Sequence, residues 1–353
     1  MPLSKNTSRI LLVIASTLVA SFVCLVAAVI LFPTFMRSTD ELLKRASRTW
    51  PSVWNGQPCL GSKNQPLAAL LRKSEDEEII FELKPRMDTC FQGARVKTNR
   101  QGFRAEADFS LPKPEGTIRI LGLGDSMMFG WGAEEVQTYS EKLERLLQEK
   151  WQRPVEFIKT AVPAYNTAME AAVLEKRGMA YQPDVVILHW CWNDFVLPPF
   201  LQQQNPASFL SVSAWRKRIN DSFNRFIGGV ILPAGLSRNI LEDAPGHDYA
   251  LPPLYQAMVG EAGVGRAFER MLAFLQPRGI PLIVISNINA GTEHQQQFLR
   301  QWLSLHRIIQ LEMDEKPTWW LSAEDHHLSA FGHDRYAEKL LESITQLKNP
   351  ALN

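Results

Sequence analysis

Little in this chain points to a structural metal or to nucleic acid. It has 4 cysteines and 7 histidines in 353 residues, and neither a C-x-x-C pair nor a His-rich run provides metal-ligand spacing. An excess of one charge is missing too: 38 Lys and Arg face 37 Asp and Glu, for a net charge of +1. No strong field steers a polyanion, and no basic stripe interleaved with aromatics offers a nucleic-acid face. The basic cluster Trp215-Arg216-Lys217-Arg218 is short and reads as a solvated helix face.

Long apolar runs are scarce, with one exception. Ile10–Phe32 carries no charge. As a helix it would span roughly 34 Å, enough for a bilayer core. Lys5 and Arg9 precede it, and no small-x-small exit comes after it, so a retained anchor is expected rather than a cleaved signal peptide. Cys24 comes after Phe22-Val23 and lacks the small neighbour of a lipidated cysteine. Basic residues flank both sides, with Arg37, Lys44, Arg45 and Arg48 beyond the run, and the positive-inside rule alone does not orient it. A short basic head before an N-terminal anchor favours export of the downstream chain. Cys59 and Cys90 share one segment, where they either pair, as an oxidising compartment would allow, or stay as two thiols.

The rest divides by pattern. Residues 1–36 form the anchor, 37–115 a charged stalk and a Gly- and Pro-bearing collar, and 116–353 the main domain. Within the collar, Phe81–Pro85 and Val96–Asn99 read as strand-like pieces, and Asn99-Arg100-Gln101-Gly102 as a turn. The main domain alternates. Strands are expected at Thr117–Leu121, Val155–Ile158, Asp184–His189, Ile280–Ser286 and Arg307–Leu311. Helices are expected at Tyr139–Lys150, Thr167–Arg177, around Val264–Leu275 and at Asp334–Gln346. Such alternation predicts an α/β fold, a parallel sheet between two layers of helices. An insertion at about 195–253 breaks the rhythm and reads as a cap over the sheet edge.

The chemistry-bearing residues come just after the strands. Leu121–Phe129 reads L-G-L-G-D-S-M-M-F, so Ser126 stands where a strand turns into a helix. Free backbone N–H groups there favour developing negative charge, although Asp-Ser alone is also an ordinary helix cap. Ala161–Thr167 and Cys191–Asp194 succeed the next two strands. Glu324-Asp325-His326-His327 precedes the terminal helix, and a carboxylate just before a histidine can orient its ring. The ends of parallel strands converge on one edge, so these separated pieces point at one crevice.

In these residues the chain resembles the SGNH (GDSL-type) hydrolase superfamily, over roughly Gly116–Leu347. Gly124-Asp125-Ser126 matches the first block and its nucleophile; Ala164 falls at the glycine of the second. Asn193 matches the third block's asparagine, and His327 the base of the fourth. The resemblance implies a three-layer α/β/α, flavodoxin-like domain with catalytic Ser126, His327 and Asp325. It also implies an oxyanion hole from the Ser126 and Ala164 N–H groups and the Asn193 amide, with no metal or cofactor. Three departures stand out: Ala164 and Cys191 replace glycines, and Glu324 sits at the usual aspartate position, with Asp325 at the shorter spacing of some membrane-linked acetyltransferases of the superfamily.

The activity so implied is a membrane-anchored serine esterase acting on an acylated glycan or envelope lipid. O-acyl transfer to an exported polysaccharide, or a non-catalytic glycan-binding role, stands as the alternative. The expected location is the cell inner membrane, single-pass, with the main body periplasmic or extracellular. Blander roles are expected for Arg104 (a collar salt bridge), His189 and His333 (packing), Asp194 (a brace for the Asn193 loop) and His326 (solvent or the cap). Trp319-Trp320 is expected to pack on the collar or stack on a sugar.

Overall fold

The computed structural model describes residues 64–65, 67–196, 254 and 257–347. The expected anchor and stalk, and the body of the cap, lie outside the described residues. Among the described residues no helix is long and apolar enough to cross a membrane.

Two antiparallel hairpins make the collar. Strands β1 (Leu71–Lys73) and β2 (Phe81–Leu83) pair in one, β3 (Asp88–Phe91) and β4 (Ala94–Lys97) in the other. The expected turn after β4 is an Asn-mediated one: Asn99 Oδ1 accepts the N–H of Gln101 and of Phe103, each at 3.0 Å. Leu70, Phe81 and Phe91 share one apolar core with the main sheet, so the collar is packed into the fold. Cys90 is disulfide-bonded. Cys59, its expected partner, lies outside the described residues.

Five parallel strands make the main sheet: β5 (Ile118–Gly124), β6 (Val155–Lys159), β7 (Val185–His189), β8 (Leu282–Asn287) and β9 (Ile309–Met313). Their order is β6-β5-β7-β8-β9, which is 2-1-3-4-5 counted from β5. Every residue of β5 and β7 is buried, as a strand covered on both faces requires. In register, Leu121 lies between Ile158 and Val186.

The helices of the main domain are α1 (Ser126–Phe129), α2 (Tyr139–Trp151), α3 (Thr167–Lys176), α4 (Gly260–Leu275), α5 (Glu293–Leu305) and α6 (Ala330–Thr345). Helix α2 packs with α6, and α3 with α4. Because the chain runs from β5 outward to β6 and back to β7, right-handed crossovers put α2 and α3 on opposite faces. Helix α6 starts earlier than its apolar pattern suggests. Ser329 caps it, its Oγ accepting the Gly332 N–H at 3.2 Å. The point where the strand order reverses lies between β5 and β7, where α/β sheets open a crevice at the strands' carboxyl ends.

Candidate active site

The serine side begins with a sharp exit from β5. A Cβ on Gly124 would sit 2.6 Å from Met128 Cβ, so only glycine lets α1 fold back this closely. Asp125 caps α1, its Oδ1 accepting the Met127 N–H at 2.9 Å. Ser126 is therefore the first residue of the turn, and its own N–H has no acceptor among the described residues. The Ser126 carbonyl accepts from Gly130 at 3.1 Å and Trp131 at 3.0 Å, closing the turn.

Arg104 locks that turn from the collar. It is 1% exposed. Its Nη1 donates to the carbonyls of Phe129 at 2.9 Å and Gly130 at 2.7 Å, and its Nη2 to that of Ala133 at 2.6 Å. Its Nε meets Glu135 Oε2 at 2.7 Å, and Glu135 also pairs with the buried Lys159 at 2.5 Å. The expected salt bridge exists, but it reaches out of the collar into the main domain. Burial pulls the Arg104 guanidinium below its ordinary pKa while Glu135 beside it pulls upward.

The histidine side is a closed loop. Trp320 bridges Leu328 as an antiparallel pair, and the Leu321 N–H donates to the His327 carbonyl at 2.8 Å. Inside it, Ser322 Oγ accepts the Asp325 N–H at 3.0 Å, and Asp325 Oδ1 accepts the His327 N–H at 3.1 Å. The two sides meet. His327 Nε2 lies 2.8 Å from Ser126 Oγ, and with the proton on Nδ1 the ring donates to Asp325 Oδ1 at 2.6 Å. Glu324 is exposed and accepts from Ser322 Oγ at 3.0 Å instead.

The loop after β6 turns at Val162-Pro163-Ala164-Tyr165, where the Tyr165 N–H donates to the Val162 carbonyl at 3.1 Å. Pro163 occupies the second position and Ala164 the third with φ +72°, the left-handed conformation a type II turn demands and glycine prefers. Alanine adopts it with some strain, and its N–H has no acceptor among the described residues. Tyr165 OH donates to the Phe81 carbonyl of the collar at 2.5 Å. After β7, Asn193 Nδ2 donates to Asp125 Oδ2 at 3.1 Å, which leaves its second N–H free for another acceptor.

Cys191 links the same two loops. Its thiol donates to Asp125 Oδ1 at 3.3 Å, and its N–H donates to Asp194 Oδ2 at 3.0 Å. Burial, with Asp125 and Asp194 nearby, pushes the thiol well up and keeps it protonated. Asp194 and Glu170 are wholly buried behind this loop. Burial first, then Asp125, pushes the Asp194 carboxyl well above its usual range, and burial, then Asp194 and Asp125, do the same to Glu170.

His189, His333 and His326 sit away from the Ser126–His327 pair. His189 is buried, its Nδ1 2.9 Å from Tyr139 OH, and burial lowers its pKa to about 3. His333 is buried too, its Nδ1 accepting the Tyr139 N–H at 3.2 Å. His326 is exposed and stacks on Trp320 at 4.0 Å between ring centroids. The tryptophan pair departs from expectation: Trp320 donates to Glu315 Oε2 at 2.8 Å and Trp319 packs edge-on to Tyr336, both within the C-terminal part rather than on the collar. Unforeseen is Trp131, stacked flat on His327 with centroids 4.8 Å apart.

No family model and no curated protein matches the chain. Solved structures resemble it at low identity. A lipase/acylhydrolase from Enterococcus faecalis is 14% identical, with 66% of this chain and 98% of that one covered and a TM-score of 0.41. A psychrotrophic esterase from Pseudoalteromonas sp. is 10% identical, covering 65% and 97%, TM-score 0.41. An acetylxylan esterase from Geobacillus stearothermophilus, solved as a catalytic mutant, is 12% identical, covering 64% and 94%, TM-score 0.40. What the site does is therefore read from its own geometry.

Proposed function

We propose that the protein is a serine esterase of the SGNH type that hydrolyses acyl esters, acetyl foremost, on a glycan or envelope lipid. The observation that carries this reading is the chain Ser126 Oγ, His327, Asp325, with links of 2.8 and 2.6 Å. His327 Nε2 takes the serine proton as Oγ attacks the ester carbonyl, and Asp325 balances the imidazolium. The oxyanion is held by the Ser126 N–H, the Ala164 N–H and the spare N–H of Asn193. As the tetrahedral intermediate collapses, His327 gives its proton to the leaving alkoxide and an acyl-serine remains. Water then loses a proton to His327, attacks the acyl carbon and releases the carboxylic acid, returning the proton to Ser126. The sequence of steps needs no cofactor.

The proposal includes the setting. Ile10–Phe32 anchors the chain in the inner membrane, and the body faces the periplasm or exterior. A disulfide at Cys90 supports this, since such bonds persist in oxidising compartments.

The test is turnover of p-nitrophenyl acetate and a panel of acetylated oligosaccharides by the full chain. Ser126→Ala is expected to lose at least ~10⁴-fold in kcat. Ser304→Ala, at an exposed position on α5, serves as the control with parental activity. If the parent and Ser126→Ala are equally inert across the panel, the esterase reading fails.

A further inference from the structure

We propose that Trp131 is a positioning residue for His327: its indole holds the imidazole in plane with Ser126 and Asp325 and stabilises the imidazolium formed during proton transfer. The inference rests on the esterase reading, because it concerns the base of that reaction. Its ground is the geometry of one ring against another.

Ser126 and Asp325 contact the imidazole at its two nitrogens, 2.8 and 2.6 Å away. Two bonds in the ring plane leave the ring free to roll about the line joining them. Contact on a face removes that freedom. Trp131 supplies it, with an interplanar angle of 11° and centroids 4.8 Å apart, inside the range over which an aromatic face attracts a cation. The charged groups around the ring matter equally. Asp325 bonds its edge, and Glu315, held by the Tyr336 hydroxyl and the Trp320 indole, lies near enough to interact with its charge. The indole adds a negative π-face on a side that neither carboxylate bonds.

Trp131 is itself fixed in ways that make the contact more than incidental packing. Its backbone N–H bonds the carbonyl of Ser126 at 3.0 Å, so the nucleophile and the ring covering the base share one turn. Gly130 precedes it at φ +86°, and a Cβ there would lie 2.5 Å from Thr138 Cγ2, so the turn accepts only glycine. Arg104 grips the Gly130 carbonyl at 2.7 Å. Phe91 of β3 packs on the indole in an edge-to-face arrangement at 4.7 Å and 82°, a second aromatic contact beside that with His327. The indole Nε1 is buried with no acceptor among the described residues, so the side chain is not held there by a hydrogen bond.

The experiment compares Trp131→Leu, Trp131→Phe and chains carrying mono-, di- and tetrafluorotryptophan at position 131, all in the full protein. Leucine fills the space without a π-face and is expected to lower kcat about five- to thirty-fold with KM within about twofold of the parent. Phenylalanine is expected to restore most of the loss. Fluorination keeps the shape and drains the face of electrons, so log kcat is expected to fall steadily with fluorine number. A purely steric role would leave that series flat, and the isosteric residues keep the test valid even if leucine impairs folding. A flat series, or phenylalanine as poor as leucine, overturns the proposal while Ser126-dependent turnover persists. A parent as inert as Ser126→Ala sinks the esterase reading, and this inference with it.

Discussion

Ser126 is placed by bonds to the backbone of its turn, whereas the His327 ring is placed by contacts from other side chains, and the two arrangements fail differently. On the serine side, a cap, a closed turn and a buried arginine on three carbonyls set the backbone. On the histidine side, the loop is closed by a bridge, but the ring itself is aimed by Asp325 and Trp131. Damage to the first is expected to appear as lost stability, and damage to the second as lost rate with the fold intact.

The sharpest way to break this contrast is at Asp325. Asp325→Asn is expected to cost about 10³–10⁴-fold in kcat, with thermal unfolding close to that of the parent. Glu324→Gln, altering an exposed carboxylate, is expected to change kcat by less than about twofold. Steady-state kinetics on the two variants decides, and the reverse order would move the orienting role to Glu324.

Arg104→Met tests the other side. It takes one of two cationic partners from Glu135, strands three buried carbonyls and is expected to destabilise by about 3–5 kcal/mol, read by urea unfolding. A stable variant with only a rate defect would erase the distinction.

The serine side also leans on a histidine that stays neutral. His189 Cβ lies 3.3 Å from where a Gly124 Cβ would be, and burial lowers the His189 pKa to about 3 against ~6.5 when unfolded. Between those values the unfolded chain binds a proton that the native chain does not. Stability is therefore full above about pH 6.5 and falls as the pH drops toward 3. At pH 5 His189 alone is expected to remove about 2 kcal/mol, and His333, lowered by burial and nearby cations, adds in the same direction. Chemical denaturation at pH 7 and pH 5 measures the loss, and His189→Asn is expected to shrink it. The smallest effect is expected at Ala164. Ala164→Gly relieves the φ of +72° and is expected to stabilise by about 0.5–1 kcal/mol in thermal melts.

The same contrast explains what could be read in advance. Strands and helices of the sheet are legible because each is local: apolar runs for β5 and β7, helical spacing for α2 and α4. Ser126 and Asp125 announce themselves through a cap beside glycines. The turn at Ala164 is likewise written locally, by Pro163 before it. Helix α5 lies outside the expected elements although Thr292 and Gln295 form a capping box at its start. That signal, too, is local.

Trp131 and Arg104 are another matter. Trp131 meets His327 across most of the domain, and Arg104 reaches carbonyls 25 to 29 residues away. No spacing rule encodes such contacts, because they depend on how the collar and two loops converge. Glu170 is equally opaque: on its helix it looks like an ordinary surface acid, yet α3 is buried along both sides.

The sequence separation of 201 positions from Ser126 to His327 carries a consequence for biosynthesis. A ribosome working at about 5–20 residues per second exposes the hydroxyl well before its proton acceptor emerges. Any nascent or truncated product that ends before the closing loop lacks the imidazole altogether. Under the proposed esterase reading, reactivity thus arrives late, as a certificate that translation has reached the threshold of the terminal helix.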